Sequence, residues 1–451
     1  MRVLFNRIRQ VLSSRLWAWP LLTGILGTIL GVALTSISIP GDAALAGFIW
    51  PGDSESAASM ITFIASTVLT VLTTTISMTL IVLQVASGNF SHQLLRDFIS
   101  SRAVRGILGV YVGLFTYTVM VGRSIDADDD VPPQLAMTVA MIGIFVAVAT
   151  FVWYVSRVVD MVRADTILSK SASRVLRLAK RLMASGSKFP DKDPVERPDV
   201  PEDATPIRSE VFGFVQSVDV DHAMDWARSA NATVVIDIRP GDAVLEGQPM
   251  GWQWGSDEDT DVPGFIYIGE ERASGEDFTL GLQQILDIAV RALSTSTNDP
   301  TTVTHAIGQG GRILRALAAD PIAPIVRFEV EKSADDESDE PGRLLVWSGT
   351  RTINELVSVF VGAIRRYAGG DVAVLTRLLM MLDSVDHVAS QSTRTVINEE
   401  RTRIVTLAQN EIDDEYDLNV VLKAAHWDHN EDEPNPDADD ISAHQRTQFE
   451  V

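Results

Sequence analysis

AASMITFIASTVLTVLTTTISMTLIVLQVA, residues 57–86, runs for 30 residues without an Asp, Glu, Lys, Arg or His. At about 1.5 Å per helical residue, such a run is long enough to cross a hydrocarbon layer about 30 Å thick. Residues 16–39, 106–122 and 134–156 are equally free of charge. The chain is therefore expected to begin with a membrane α-helical bundle of four transmembrane helices, residues 1–156.

Within 57–86 the polar side chains are not scattered. Ser66, Thr70, Thr73, Ser77 and Gln84 recur at alternating steps of four and three, interrupted by Leu80. That spacing places them on one helical face. Two readings stand open: hydroxyl-mediated helix packing, or the pore-lining wall of a water-filled path. No acid or base lies inside any span, which argues against a proton relay, a voltage sensor or a charge-coupled pump. Gly24, Gly27 and Gly31 in the first span, with Gly109 and Gly113 in the third, are spaced for close helix contact.

Charge sorts the rest of the chain. Residues 1–156 hold 8 basic and 8 acidic groups, and residues 157–188 hold 8 basic and 2 acidic ones. The remaining acids give the whole chain its net charge of -23. Arg2, Arg7, Arg9 and Arg15 precede the first span, and Arg96, Arg102 and Arg105 follow the second. The other two loops, around residues 41–56 and 123–133, hold one arginine and a majority of acids. Basic loops stay on the cytoplasmic side, so the expected location is the bacterial inner (plasma) membrane, with N- and C-termini cytoplasmic. ALAG at residues 44–47 resembles a signal-peptide cleavage site, but an apolar run of 24 residues before it favours an uncleaved anchor.

Residues 157–186 form a basic amphipathic juxtamembrane helix, expected to continue the fourth span. Its cations Arg174, Arg177, Lys180 and Arg181 would meet lipid headgroups, each attracted by about 1 kcal/mol near an anionic leaflet. Its apolar face would meet neighbouring copies. Membrane lipids are thus expected partners. Nucleic acid is not, because an acidic body repels a phosphate backbone. With no cysteine in the chain, disulfides, thiolate metal sites and cysteine nucleophiles are excluded.

Residues 187–207 read as a Pro-rich polar linker leading to a cytoplasmic α+β region. Residues 208–272 alternate like short strands, and Gly241-Asp-Ala-Val-Leu-Glu-Gly-Gln-Pro249 resembles a turn of lipoyl-type barrels. A small β-barrel-like module is expected there. It has no lysine at its hairpin tip, so a covalent swinging arm is not. Residues 273–426 read as a mainly helical domain containing one hairpin, strands IVRFEV and RLLVWSG. Residues 427–451 form an acidic tail too poor in apolar residues to fold. His426 and His429 border that tail and read as a solvated pair rather than metal ligands.

The second decisive stretch is RALSTSTNDPTTVTHAIG, residues 291–308. Asp299 is a preferred helix N-cap and Pro300 suits the first helical position. Asp287 and Arg291 can pair across one turn, the acid leading. A capped helix hairpin accounts for most of the stretch. A ligand or interface site built from Asn298, Asp299, Thr301, His305, Asp287 and Arg291 is the sharper alternative. No catalytic residue and no metal site is expected, since Walker, G-x-G-x-x-G, H-E-x-x-H and G-x-S-x-G patterns are absent. No cofactor is expected either.

Two passages resemble a bacterial family of predicted membrane proteins, domain-of-unknown-function family 2254. One is TVLTTTISMTLIVLQVASGNFSHQLLRDF, residues 70–98. The other is GLQQILDIAVRALSTSTNDPTTV, residues 281–303. The family typically shows Leu-Arg-Gln-Leu-Val-Asp-Ile-Ala, then Ala-Leu-Ser-Pro-x-x-Asn-Asp-Pro-x-Thr-Ala. Ser91-His92 stands in place of the usual Ser-Pro, Thr295 in place of a proline and Val303 in place of an alanine. The resemblance implies a fold and a location but no activity.

Three functions fit these readings. They are a homo-oligomeric, channel-like assembly with a cytoplasmic vestibule or gate, a membrane-anchored module recruiting a cytoplasmic protein partner, and an enzyme at the inner leaflet. The missing catalytic motifs put the enzyme last.

Overall fold

The computed structural model describes residues 17–37, 50–89, 102–126, 131–185, 196–255, 264–272, 275–330 and 341–425. The chain divides into two compact units, Met1–Ile167 and Leu168–Val451.

The first unit holds α1 (Ala18–Thr35), α2 (Ser54–Asn89), α3 (Arg102–Arg123) and α4 (Gln134–Val162). All four are long and apolar enough to cross a membrane. α1 packs mainly on α3, and the glycines make that possible. A Cβ at Gly27 would lie 2.1 Å from Gly113 O, and one at Gly113 would lie 3.0 Å from Thr23 O. Small residues thus bring the two backbones together, and Thr116 Oγ1 donates to Gly24 O at 2.8 Å across the seam. The glycine faces are satisfied inside one subunit. Elsewhere the core is filled by large side chains. Ile61, Ile64 and Val68 of α2 meet Ile107 and Tyr111 of α3 and Met137, Ala140 and Tyr154 of α4.

α4 does not run on into the basic helix. Arg163 takes an extended conformation (φ -70°, ψ 120°), and α5 (Ala164–Ser185) begins as a separate element. The expectation of one continuous helix is therefore corrected.

The second unit is a mixed α/β body. Its main sheet has the order β1 (Thr205–Arg208), β5 (Pro249–Trp254), β3 (Thr233–Ile236), β8 (Pro341–Ser348), β7 (Ile325–Val330). All neighbours are antiparallel except β3 and β8. β3 is central and buried at every position, as a strand covered on both faces requires. A second sheet has the order β4 (Ala243–Val244), β2 (Gly213–Val218), β6 (Ile266–Gly269). α6 (Val220–Ser229) is capped by Asp219 and buries Ala223 and Ala227 in the core shared with Val234, Ile236 and Leu345.

The expected barrel does not close. Its Gly-rich turn carries the chain from β4 in one sheet to β5 in the other, so the two strands never pair. Of its glycines, Gly241 (φ +96°) and Gly247 (φ +76°) sit at turns. Gly251 lies inside β5, where a Cβ would stand 2.3 Å from Val235 O of β3. The hairpin β7–β8, expected within the helical domain, extends the main sheet, and β1 begins within the last residues of the stretch expected to be linker.

The helices are α7 (Thr279–Ala292), α8 (Pro300–Ala319), α9 (Ile353–Ala368), α10 (Val372–Asp386), α11 (Gln391–Glu411) and α12 (Glu415–Ala425). Asp299, Thr352, Asp371 and Ser390 cap α8 to α11 with their side chains. α8 is the hub: Gly310 admits the Phe360 ring of α9 and Gly311 admits Met381 of α10. The expected tail and the pair His426/His429 lie outside the described residues.

Candidate functional site

The polar face of α2 points outward. Ser66, Thr70, Thr73, Ser77 and Gln84 are all exposed on the subunit surface. Ser66, Thr70 and Thr73 donate to carbonyls one turn back, at 2.6, 2.8 and 2.9 Å. Such bonds satisfy a hydroxyl without a neighbour. A second polar set, which the sequence reading passed over, lies inside. Thr75 is fully buried, Thr79 bonds the hydroxyl of Tyr154, and that hydroxyl donates to Thr75 O at 3.3 Å. Its signal was a tyrosine in an uncharged span, which needs a partner for its hydroxyl.

Residues 291–308 form a turn between α7 and α8. Asn298 takes a left-handed conformation (φ +41°), tolerated by Asn because its short side chain bonds locally. Asp299 N donates to Ala292 O at 2.8 Å, closing the turn. The Asp299 carboxylate accepts from Thr302 N at 3.1 Å and Thr302 Oγ1 at 2.6 Å. The Thr302 hydroxyl, backbone amides of Thr302 and Thr301, and the nearby His305 hold its pKa below the ordinary value, against partial burial. The structure thus brings Asp299, Thr301 and His305 together at the start of α8. Asp287 lies back along α7, accepting from Gln283 Nε2 at 2.8 Å, and Arg291 is exposed there. Local capping accounts for the geometry of the turn.

On α5, Arg174, Arg177, Lys180 and Arg181 are exposed. The opposite face, with Leu168, Ala172, Val175 and Ala179, is buried. It packs within the same chain: Ser171 Oγ donates to Gln284 Oε1 of α7 at 3.2 Å, and Gly281 accommodates Val175. That face is not available as a seam between copies, which corrects the expectation.

A cleft lies elsewhere, in the second unit between α7 and α9. Thr279, Leu282, Gln283 and Leu286 of α7 face Glu355, Leu356, Val359 and Phe360 of α9, with Arg272 and Arg351 at the same cleft. Its cavity volume is about 100 Å³. Its polar end is built by a turn. Asp242 N donates to Arg239 O, with Pro240 second and Gly241 third at positive φ, the geometry of a type II turn. No side chain fits at Gly241, where a Cβ would lie 2.3 Å from Asp277 Oδ2.

Three ion pairs follow. Arg272 Nη2 lies 2.6 Å from Asp277 Oδ2, and the Asp277 side chain is fully buried. Arg239 Nη1 donates to Glu355 Oε2 at 2.7 Å. Arg351 Nη2 donates to Asp242 Oδ1. Beside them, burial pushes the pKa of Glu276 up, opposed by a bond from Val218 N. The sequence reading missed this cluster. Its visible signals were an Asp just ahead of α7 and an Arg just ahead of α9.

Four apolar spans followed by a folded α/β body define a polytopic membrane protein with a large domain outside its spans. The chain belongs to the family described as "Predicted membrane protein (DUF2254)", whose model matches residues 13–384. It is similar to an uncharacterized protein of Mycobacterium tuberculosis (strain CDC 1551 / Oshkosh) and to one of Mycobacterium bovis (strain ATCC BAA-935 / AF2122/97). Each is 28% identical over 437 residues, covering 93% of this chain and 81% of the relative. No solved structure matches.

Proposed function

We propose that this membrane protein works as a homo-oligomeric, channel-like assembly of the plasma membrane, both termini cytoplasmic, with the body after α4 forming a vestibule or gate. The observation that carries the reading is the outward polar column of α2 set against a subunit core filled by Tyr111, Met137 and Tyr154. Among the described residues the core between the helices is filled by side chains. Copies arranged around α2 would place Ser66, Thr70, Thr73 and Ser77 along a shared axis, and closed cyclic symmetry is the usual arrangement. The exposed cations of α5 would meet anionic headgroups.

The test has two parts. Native mass measurement in lipid nanodiscs should return a multiple of the subunit mass. Thr70→Leu with Thr73→Leu should lower ion flux in planar bilayers at least several-fold. A monomer, or flux unchanged by the double substitution, overturns the reading. A second reading, a membrane-anchored binding module, is favoured by the cleft between α7 and α9.

A further inference from the structure

We propose that the cleft between α7 and α9 binds a small soluble anion carrying one carboxylate or phosphate group on a short apolar body. The inference deepens the binding-module reading and stands whether or not copies assemble around α2.

The polar end has more donors than its own carboxylates accept. A guanidinium carries five N–H donors and no acceptor, so Arg239, Arg272 and Arg351 converge with fifteen by that count. Asp277 is already saturated: Oδ2 accepts from Arg272 Nε and Nη2, and Oδ1 from Thr279 N, Thr279 Oγ1 and Leu280 N. Asp242 is shared between Arg351 and Arg239 N. The Nε atoms of Arg239 and Arg351 are left buried without a hydrogen-bond partner among the described residues. A buried charged donor without an acceptor is costly. Arg351 lines the cleft and its side chain is 28% exposed, so an anionic oxygen entering there would meet the accessible part of that cation. Arg272, also lining it, retains Nη1 for a second contact, while Thr279 and Gln283 offer neutral polar groups.

The other wall fixes the rest of the ligand. Leu282, Leu286, Leu356 and Phe360 line the cleft yet are buried, and Val359 stands half exposed at its mouth. Apolar walls with a few placed polar groups are the usual make-up of a small-molecule site. The space available, about 100 Å³, suits a chain of a few carbons and not a two-chain lipid. Glu355 also lines the cleft and opposes an anion, but its carboxylate is tied to Arg239. Three arginines against three acids leave the cluster neutral. Selectivity therefore comes from directed donors rather than from net charge, and the acidic chain slows anion approach.

The experiment is calorimetric titration of the full chain in nanodiscs of uncharged zwitterionic lipid, with empty nanodiscs subtracted. Hexanoate, hexanol and inorganic phosphate serve as probes. Hexanoate is expected to bind at least ten-fold more tightly than either of the others, since only it satisfies both ends. Arg351→Gln should weaken hexanoate at least ten-fold. Because that substitution also unpairs Asp242, Val359→Trp provides a second test. It fills the mouth from an exposed position, should give the same loss, and should leave the melting temperature unchanged. Equal affinity for hexanoate and hexanol, no hexanoate binding up to about 10 mM, or hexanoate affinity unmoved by Val359→Trp each overturns the proposal.

Discussion

Gly27→Ala adds one carbon at the tightest point between α1 and α3. That carbon would stand 2.1 Å from Gly113 O and 2.7 Å from Thr116 Oγ1. Carbon and carbonyl oxygen approach to about 3.3 Å, so the helices must part by about 1.2 Å. A gap of about 0.5–1 Å already forfeits a quarter to a half of a contact's attraction, and this one is wider. It also stretches the Thr116–Gly24 bond of 2.8 Å. Overpacking of this kind costs about 1–3 kcal/mol, and alanine's better helix propensity returns about 0.8–1.0. A clash this close to a backbone oxygen belongs at the upper end of that range, which leaves a net loss of about 2 kcal/mol, a factor of roughly 30 in the folded ratio. Gly106→Ala is the control, because a Cβ there meets nothing within 4 Å; it should leave stability unchanged or raise it. Thermal unfolding in mild detergent, followed by tryptophan fluorescence and gel filtration, reads both. Equal stability of Gly27→Ala and the wild type, or equal damage from the two substitutions, refutes the packing of this seam.

Asp299→Ala should cost about 1 kcal/mol by uncapping α8. The Asp299 pKa is lowered, so its cap stabilises the fold at neutral pH and fades as the pH falls through and below the ordinary carboxyl value of 3.8. The stability difference between wild type and variant should shrink over that range in melts taken from pH 5 downward. Glu400 is buried beside Arg365 and Arg403. Glu400→Ala strands the largely buried Arg365 guanidinium and should cost about 3–5 kcal/mol in denaturant unfolding, whereas Arg403→Ala, at the exposed end, should cost much less. Similar losses for both would show that burial does not govern this network.

The four spans could be read from the sequence because length and the absence of charge are one-dimensional quantities, and lipid imposes them on each helix separately. Asp299-Pro300 likewise announced its helix, since a cap bonds amides only three residues away. The glycines at 24, 27, 31, 109 and 113 announced a close contact because only small residues permit one. None of these features depends on what the rest of the chain does.

The body was less legible because its decisive contacts join distant residues. β3 pairs with β8 across Val234 and Val346, which turned an expected local hairpin into the edge of a five-stranded sheet. The turn resembling a barrel joins two sheets, because each of its strands found partners elsewhere. The apolar face of α5 could equally have met a second copy, until the small Gly281 and the Gln284 amide offered it a seat in its own chain. Arg239 with Glu355 and Asp242 with Arg351 lie more than a hundred residues apart, and an arginine in sequence carries no mark of which acid it will meet. Periodicity and capping are local energies and are written residue by residue, while the cleft exists only because packing brings α7 and α9 together around charges that local structure leaves unassigned.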